Sequence, residues 1–239
     1  MSHSKQTQVT PISPYHDSER MAAAVHAGNH RGVVGGMWDE IGQMQFEYVR
    51  DHGLSREMQF LDVGCGCLRG GLHFVNYLEA GHYHGIDLCQ DLLNAGYETE
   101  LSKASLQQKL PRENLHCTDE FDATGFGHSF DMALALSVFT HLPVDHLKLC
   151  LARLADVIKP GGRFFATVFI SYDGQDWERP LLHTPGDITT YPDRNPFHYH
   201  SEDPGACCDG LPWELEKLES WNHPRDQWMA VFVRDGATT

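Results

Sequence analysis

The chain has 239 residues, enough to bury one substantial core and, for an alternating α/β pattern, to form a single domain with embellishments. Its 18 Lys and Arg against 33 Asp and Glu leave a net charge of −15, a field that repels nucleic-acid phosphates and anionic membrane surfaces alike. The first twenty residues hold no continuous apolar segment and no run is long enough to span a bilayer, so the expectation is a soluble, cytoplasmic protein with neither a nucleic-acid nor a membrane partner.

The elements can be read in chain order. Residues 1 to about 15 are polar, carry Pro11 and Pro14, and are expected to form a mobile tail. Asp17 to Ala27 reads as a helix opened by Asp17 or Ser18 and stopped by Gly28-Asn29. After the break "GNHRGVVGG", Trp38, Ile41, Met44, Gln45 and Tyr48 recur at helical spacing until Gly53. Residues 1–53 therefore suggest a tail and helical lid hinged at its glycines, ahead of a main domain over 54–239.

From there strands and helices alternate: strand Met58 to Val63, helix Arg69 to Glu79, strand Tyr83 to Asp87, helix Gln90 to about Lys103. A short strand follows over Asn114 to Cys117, then strand Phe130 to Ala135, helix Val144 to Val157 and, after the turn "KPGGR", strand Arg163 to Phe169. Near-continuous apolar strands separated by helices predict a doubly wound parallel sheet covered on both faces. Residues 171–200 have no apolar period and many Pro, Asp and Tyr, the composition of a functional loop insertion. Ser201 then caps a short helix to Cys208. "WELEKLES" and "QWMAVFVR", joined by "WNHPRD", read as a terminal antiparallel hairpin whose first arm is equally compatible with a helix.

The seven cysteines are scattered through these elements and read as reduced thiols packed as small apolar groups. Cys65-x-Cys67 has the wrong spacing for a zinc knuckle, and no metal is expected. The same segment, "FLDVGCGCLRGGLHF", occupies the first strand-to-helix turn, where a nucleotide approaches the backbone of an open α/β sheet. A dinucleotide fingerprint requires G-x-G-x-x-G; here Gly64-x-Gly66 is followed by Arg69 in the third glycine's place, and Gly70 comes one residue late. Asp62, at the end of the strand, is ill suited to a pyrophosphate but well suited to a cationic nucleoside such as S-adenosylmethionine. A second acid, Asp87, ends the next strand 21 residues beyond Gly66, the spacing at which a carboxylate meets a ribose hydroxyl.

At these residues the sequence resembles the class I S-adenosylmethionine-dependent methyltransferases, over roughly Trp38 to Phe169. The segments that carry the resemblance are "FLDVGCG", "GID", "FDMALALSVFTHLP" and "LARLADVIKPGGRFFAT". It implies a Rossmann-like, mostly parallel seven-stranded sheet closed by a C-terminal antiparallel hairpin, with S-adenosyl-L-methionine as cofactor. It further implies that Gly64 and Gly66 let the backbone approach the cofactor and that Asp62 fixes its amino-acid end. Asp87 and the adjacent Leu88 would hold the ribose side, Asp119, Glu120 and Phe121 would flank the adenine, and Leu136 and Ser137 would face the methionine portion. Solvated loop acids at Asp119 and Glu120, a turn cap at Ser137 and a snorkelling Arg69 are the competing structural readings.

Methyl transfer is an in-line displacement that needs alignment and exclusion of water, and a hydroxyl acceptor also needs its proton removed. His141 in "FTHLP" lies just past the fourth strand and is the first candidate for a catalytic base; His198 and His200, then His223, come after it. By elimination the acceptor is a small molecule, such as a sugar or secondary-metabolite hydroxyl, with N- or S-methylation, an NAD-dependent oxidoreductase, or a non-catalytic cofactor-binding partner subunit as the alternatives. Nothing in the pattern fixes an oligomeric state.

Overall fold

A computed structural model describes residues 12–172 and 174–236. Its helices are α1 (Ser18–His26), α2 (His30–Val33), α3 (Trp38–Asp51), α4 (Gly71–Tyr77), α5 (Gln90–Ala95), α6 (Val144–Leu154) and α7 (Asp203–Ala206). The strands are β1 (Phe60–Val63), β2 (Tyr83–Asp87), β3 (Leu115–Cys117), β4 (Phe130–Ala135), β5 (Ile158–Val168), β6 (Leu181–His183), β7 (Ile188–Thr190), β8 (Trp213–Ser220) and β9 (Trp228–Arg234). Seven of them form one sheet in the order β3-β2-β1-β4-β5-β9-β8. The first five are parallel; β9 runs antiparallel to β5, and β8 antiparallel to β9. This is the doubly wound sheet with its terminal hairpin, and "WELEKLES" is a strand.

Side chains alternate across the strands and so supply two cores. Leu61, Val63, Ala133, Ala135, Phe164 and Ala166 face α6, where Leu147, Cys150, Leu151 and Leu154 cover them. Phe60, Met132, Leu134 and Phe165 face the other way, beneath Ile41 and Val49 of α3, Phe74 of α4 and Leu93 of α5. Every residue of β1 is buried, and Asp62, sharing the face of Phe60, enters the second core as a carboxylate. The seven cysteines are all free thiols, five of them buried. No helix among the described residues is long and apolar enough to cross a membrane.

Several expectations change in detail. "KPGGR" is not a turn ahead of β5 but an irregularity within it: Ile158 pairs with Phe130 and Arg163 with Met132, while the chain between them bulges out. Gly161, at φ +78°, takes a conformation that other residues adopt at a cost. The insertion over 171–200 holds its own antiparallel pair, β6 and β7; three-residue strands are too short for a period to register. The helix after Ser201 is one turn, Asp203–Ala206. Residues 1–11 of the expected tail lie outside the described residues, but Ser13 is buried and starts a 3-10 turn over Pro14–His16.

The chain between Ser13 and Gly36 is fastened to the sheet's helical layer. Asp17 caps α1 by accepting the Arg20 N–H at 3.0 Å, which satisfies one donor left open at a helix start. Met21 packs with Cys67, Cys89, Leu92 and Ala95. The helix that begins as α5 widens into a π-helical turn over Gly96–Leu101, and Glu100, 1 % exposed, points from it at α2. One carboxylate oxygen meets His30 Nε2 at 2.6 Å and Arg31 Nε at 2.9 Å; the other accepts Arg31 Nη2 at 2.5 Å. Glu100→Ala is expected to remove these charge-assisted bonds at a cost of about 2 kcal/mol, or about 4–8 °C in Tm. Calorimetry reads the stability, and hydrogen exchange should quicken over residues 18–33 before it does in the sheet.

Candidate active site

The sheet's strand order reverses between β1 and β4, so their carboxyl ends diverge and leave a crevice. A cleft with about 1040 Å³ of space, its open mouth included, lies there. It is lined by Asp62, Gly64, Asp87, Leu88, Asp119, Phe121, Leu136, Ser137 and His141, nine of the residues singled out from sequence. Gly66 is not on the cleft wall but donates its N–H to Asp87 Oδ2 at 2.8 Å. Glu120 points away from it, toward Arg153 Nη2 at 3.1 Å.

The glycine turn is shaped by close approaches. Gly64 has φ +72°, and a Cβ there would stand 2.4 Å from Val138 Cγ2, so a side chain is excluded by both strain and space. The backbone around it stays flush with the cleft. Asp62 accepts the Tyr83 hydroxyl at 2.7 Å, and burial pushes its carboxyl up to about 7 despite that bond. Asp87 accepts the Cys89 N–H on Oδ1 and the Gly66 N–H on Oδ2, each at 2.8 Å. Burial pushes it up to about 6, and the two amide bonds act in the opposite direction. No basic side chain forms an ion pair with either acid among the described residues. Each oxygen keeps room for a further donor, since an ionised carboxylate offers about four acceptor positions.

At the other end of the cleft stands His141. Its Nδ1 lies 2.6 Å from Asn195 Oδ1; an amide oxygen only accepts, so the proton sits on Nδ1 and the Nε2 lone pair is left for the cleft. Burial lowers the imidazole's pKa, with the Asn195 bond opposing and the Arg225 charge adding to the effect; the ring is neutral near pH 7. Tyr15 meets His141 edge-on at 5.0 Å and donates its hydroxyl to Val33 O at 2.9 Å.

The turn bearing His141 is held by the insertion. Phe197 N–H donates to Thr140 O at 2.8 Å, and the Tyr199 hydroxyl lies 2.8 Å from Leu142 O and 3.0 Å from Phe139 O. His198 is occupied within the insertion, between Thr190 Oγ1 and Trp177 O, and does not line the cleft. His200 lies apart from it, near Trp177. His223 is buried in the β8–β9 turn against Trp221. Among the described residues, no group of three or more His, Cys, Asp or Glu is arranged to hold a metal ion.

Sequence patterns missed Ser13, Tyr15, His16, Val34 and His146 on the cleft wall, and Asn195 behind His141. Only an aromatic at 15 in an otherwise polar stretch signalled any of them.

Residues 61–164 match the family model described as "Methyltransferase domain". Over 131 residues the chain is 26 % identical to the phosphoethanolamine N-methyltransferase of Plasmodium falciparum, an alignment that takes in 54 % of this chain and 46 % of that protein; the chain thus spans about half the length of this curated relative. Among solved structures, an S-adenosylmethionine-dependent methyltransferase from Clostridium acetobutylicum superposes with a TM-score of 0.61 at 13 % identity, over 90 % of this chain and 98 % of that one. The [4+2]-cyclase SpnF superposes at 0.60 and 16 % identity, over 95 % and 98 %.

The two buried acids make a pH prediction. A folded pKa raised above the unfolded value means that the native state holds the proton longer, so stability falls as pH rises between about 4 and 7. Asp62→Asn keeps an acceptor for Tyr83 and removes the ionisation. It is expected to raise Tm at pH 8 by about 4–8 °C, roughly 2 kcal/mol, a gain that fades as pH falls toward 4. Calorimetry across that range checks it.

Proposed function

We propose that this chain is a class I S-adenosylmethionine-dependent methyltransferase that transfers a methyl group to the hydroxyl of a small molecule, with His141 as the base, a reading supported by the methyltransferase-domain match over residues 61–164 and by the shared fold. The observation that carries the cofactor reading is the pair of buried, unpaired carboxylates at the ends of adjacent strands. A sulfonium nucleoside supplies positive charge and a ribose diol to meet them, whereas a pyrophosphate would set its anion against Asp62. S-adenosyl-L-methionine, when bound, supplies an activated methyl group.

In this reading Asp62 binds the amino end, Asp87 the ribose with Leu88 against it, Asp119 and Phe121 the adenine side, and Leu136 and Ser137 the methionine portion. Gly64 gives clearance, and Gly66 orients Asp87 through its N–H. Glu120 acts at most through its ion pair with Arg153. Residues 13–36 serve as the cover that excludes water. His141 takes the acceptor proton at Nε2, and Asn195 keeps that lone pair facing the cleft.

The Plasmodium relative named for N-methylation makes an amine acceptor the second reading, in which His141 orients rather than deprotonates. A [4+2]-cyclase with the same fold makes product identity the decisive readout. A screen of hydroxyl and amine acceptors for S-adenosylhomocysteine release separates them. His141→Ala is expected to cut turnover of a hydroxyl acceptor by about 10²–10⁴-fold with S-adenosylhomocysteine affinity unchanged by calorimetry; unaltered turnover removes His141 as the base.

A further inference from the structure

Near the base, positive charge that the proposed chemistry does not use stands on the cleft wall, at Arg69, and behind it, at Arg225. Arg69 lines the cleft and is 9 % exposed. Its Nη1 donates to Val34 O at 2.8 Å and Gly36 O at 3.0 Å, and its Nε is buried without a partner. Arg225 comes from the β8–β9 turn and donates Nη2 to Gly35 O at 2.5 Å. A Cβ on Gly35 would lie 2.9 Å from Arg225 Nη1 and 3.8 Å from Arg69 Nη1. The two guanidiniums thus sit around one glycine, bound to three successive carbonyls, and no carboxylate pairs with either among the described residues.

In a chain with nearly twice as many acids as bases, two adjoining cations with no carboxylate in ion-pair contact are unusual, although Asp62 lies close enough to act on Arg69 through its charge. Carbonyl oxygens offset part of the desolvation, but like charges this close remain repulsive until an anion joins them. Their charges also press on their neighbours: burial and then Arg225 and Arg69 push His223 down to about 3. His223 Nε2 is buried there with no acceptor. Ser137 Oγ donates to Gln227 Oε1 at 2.9 Å, which ties the turn carrying Arg225 to the cleft wall.

We infer that the methyl acceptor carries an oxyanion, a carboxylate or phosphate, that is held by Arg225 and Arg69 beside His141. This rests on the methyltransferase reading, and it narrows the acceptor from any small molecule to an anionic one. Guanidiniums suit the role because their planar forks match carboxylate and phosphate oxygens. The pair also lies beside residues 34–36, so a bound anion would strengthen the same contacts that hold the cover.

The test is calorimetric titration of inorganic phosphate, and separately of acetate, at constant ionic strength into the full chain saturated with S-adenosylhomocysteine. Saturation leaves no cofactor carboxylate to compete for the arginines. At least one oxyanion is expected to bind with a Kd on the order of 1 mM. Arg225→Gln should weaken it at least tenfold with S-adenosylhomocysteine affinity held within twofold, while Arg225→Lys, which keeps the charge but loses the fork, falls between the two. If S-adenosylhomocysteine binds but neither oxyanion does, or if Arg225→Gln leaves oxyanion binding intact, the anionic acceptor is wrong and the methyltransferase reading survives. Failure of S-adenosylhomocysteine to bind sinks that reading instead, and with it this one.

Discussion

The Tyr83 hydroxyl reaching Asp62 across two parallel strands is the contact on which the cleft depends. Asp62 points into an apolar core shared with Phe60 and Phe74, where an ionised carboxylate without a donor would not persist. The donor fits because Gly71 opens α4: a Cβ there would lie 2.7 Å from the Tyr83 oxygen. A glycine at a helix start, a tyrosine at a strand start and an acid at a strand end therefore work as one unit. The acid stays close to its protonation boundary, where a cationic ligand has the largest effect on its charge.

The opposite wall is built by a different device. Backbone and side-chain bonds from Phe197, Tyr199 and Asn195 grip the turn after β4. That grip is itself anchored by a buried chain in which Thr190 Oγ1 lies between His183 and His198, and His183 Nδ1 meets Asp226 Oδ2 at 3.0 Å. Buried polar groups so connected fix a unique arrangement because any break strands a donor or acceptor. His183 and His198 of the insertion are spent on shape, whereas His141 keeps one nitrogen free of them.

What could be read from sequence follows from the range of the forces involved. The strands β1, β2, β4 and β9 and the helices α3 and α6 announce themselves through local apolar periodicity, and the glycine turn with Asp62 and Asp87 through spacing along a single βαβ unit. Tyr15 lines the cleft, Asn195 backs its His141 and Arg225 meets Gly35 of its cover, yet the three stand far apart in the chain. Such contacts leave no period. Glu120 and Asp119 are adjacent and chemically alike, yet Asp119 lines the cleft while Glu120 meets Arg153 outside it. The π-helical turn is silent for the same reason, since its residues have ordinary helical preferences.

That turn also sets a register. Gly96 packs against the Cys67 carbonyl carbon, where a Cβ would come within 2.9 Å, and four residues later Glu100 meets α2. A single residue deleted from 97–99 would move Glu100 one place along the helix, a rotation of about 100° away from His30 and Arg31, while every apolar residue of α5 kept its place. The hold of the N-terminal segment on the sheet therefore rests on the spacing between Gly96, wedged against the glycine turn, and Glu100, which reaches His30 and Arg31.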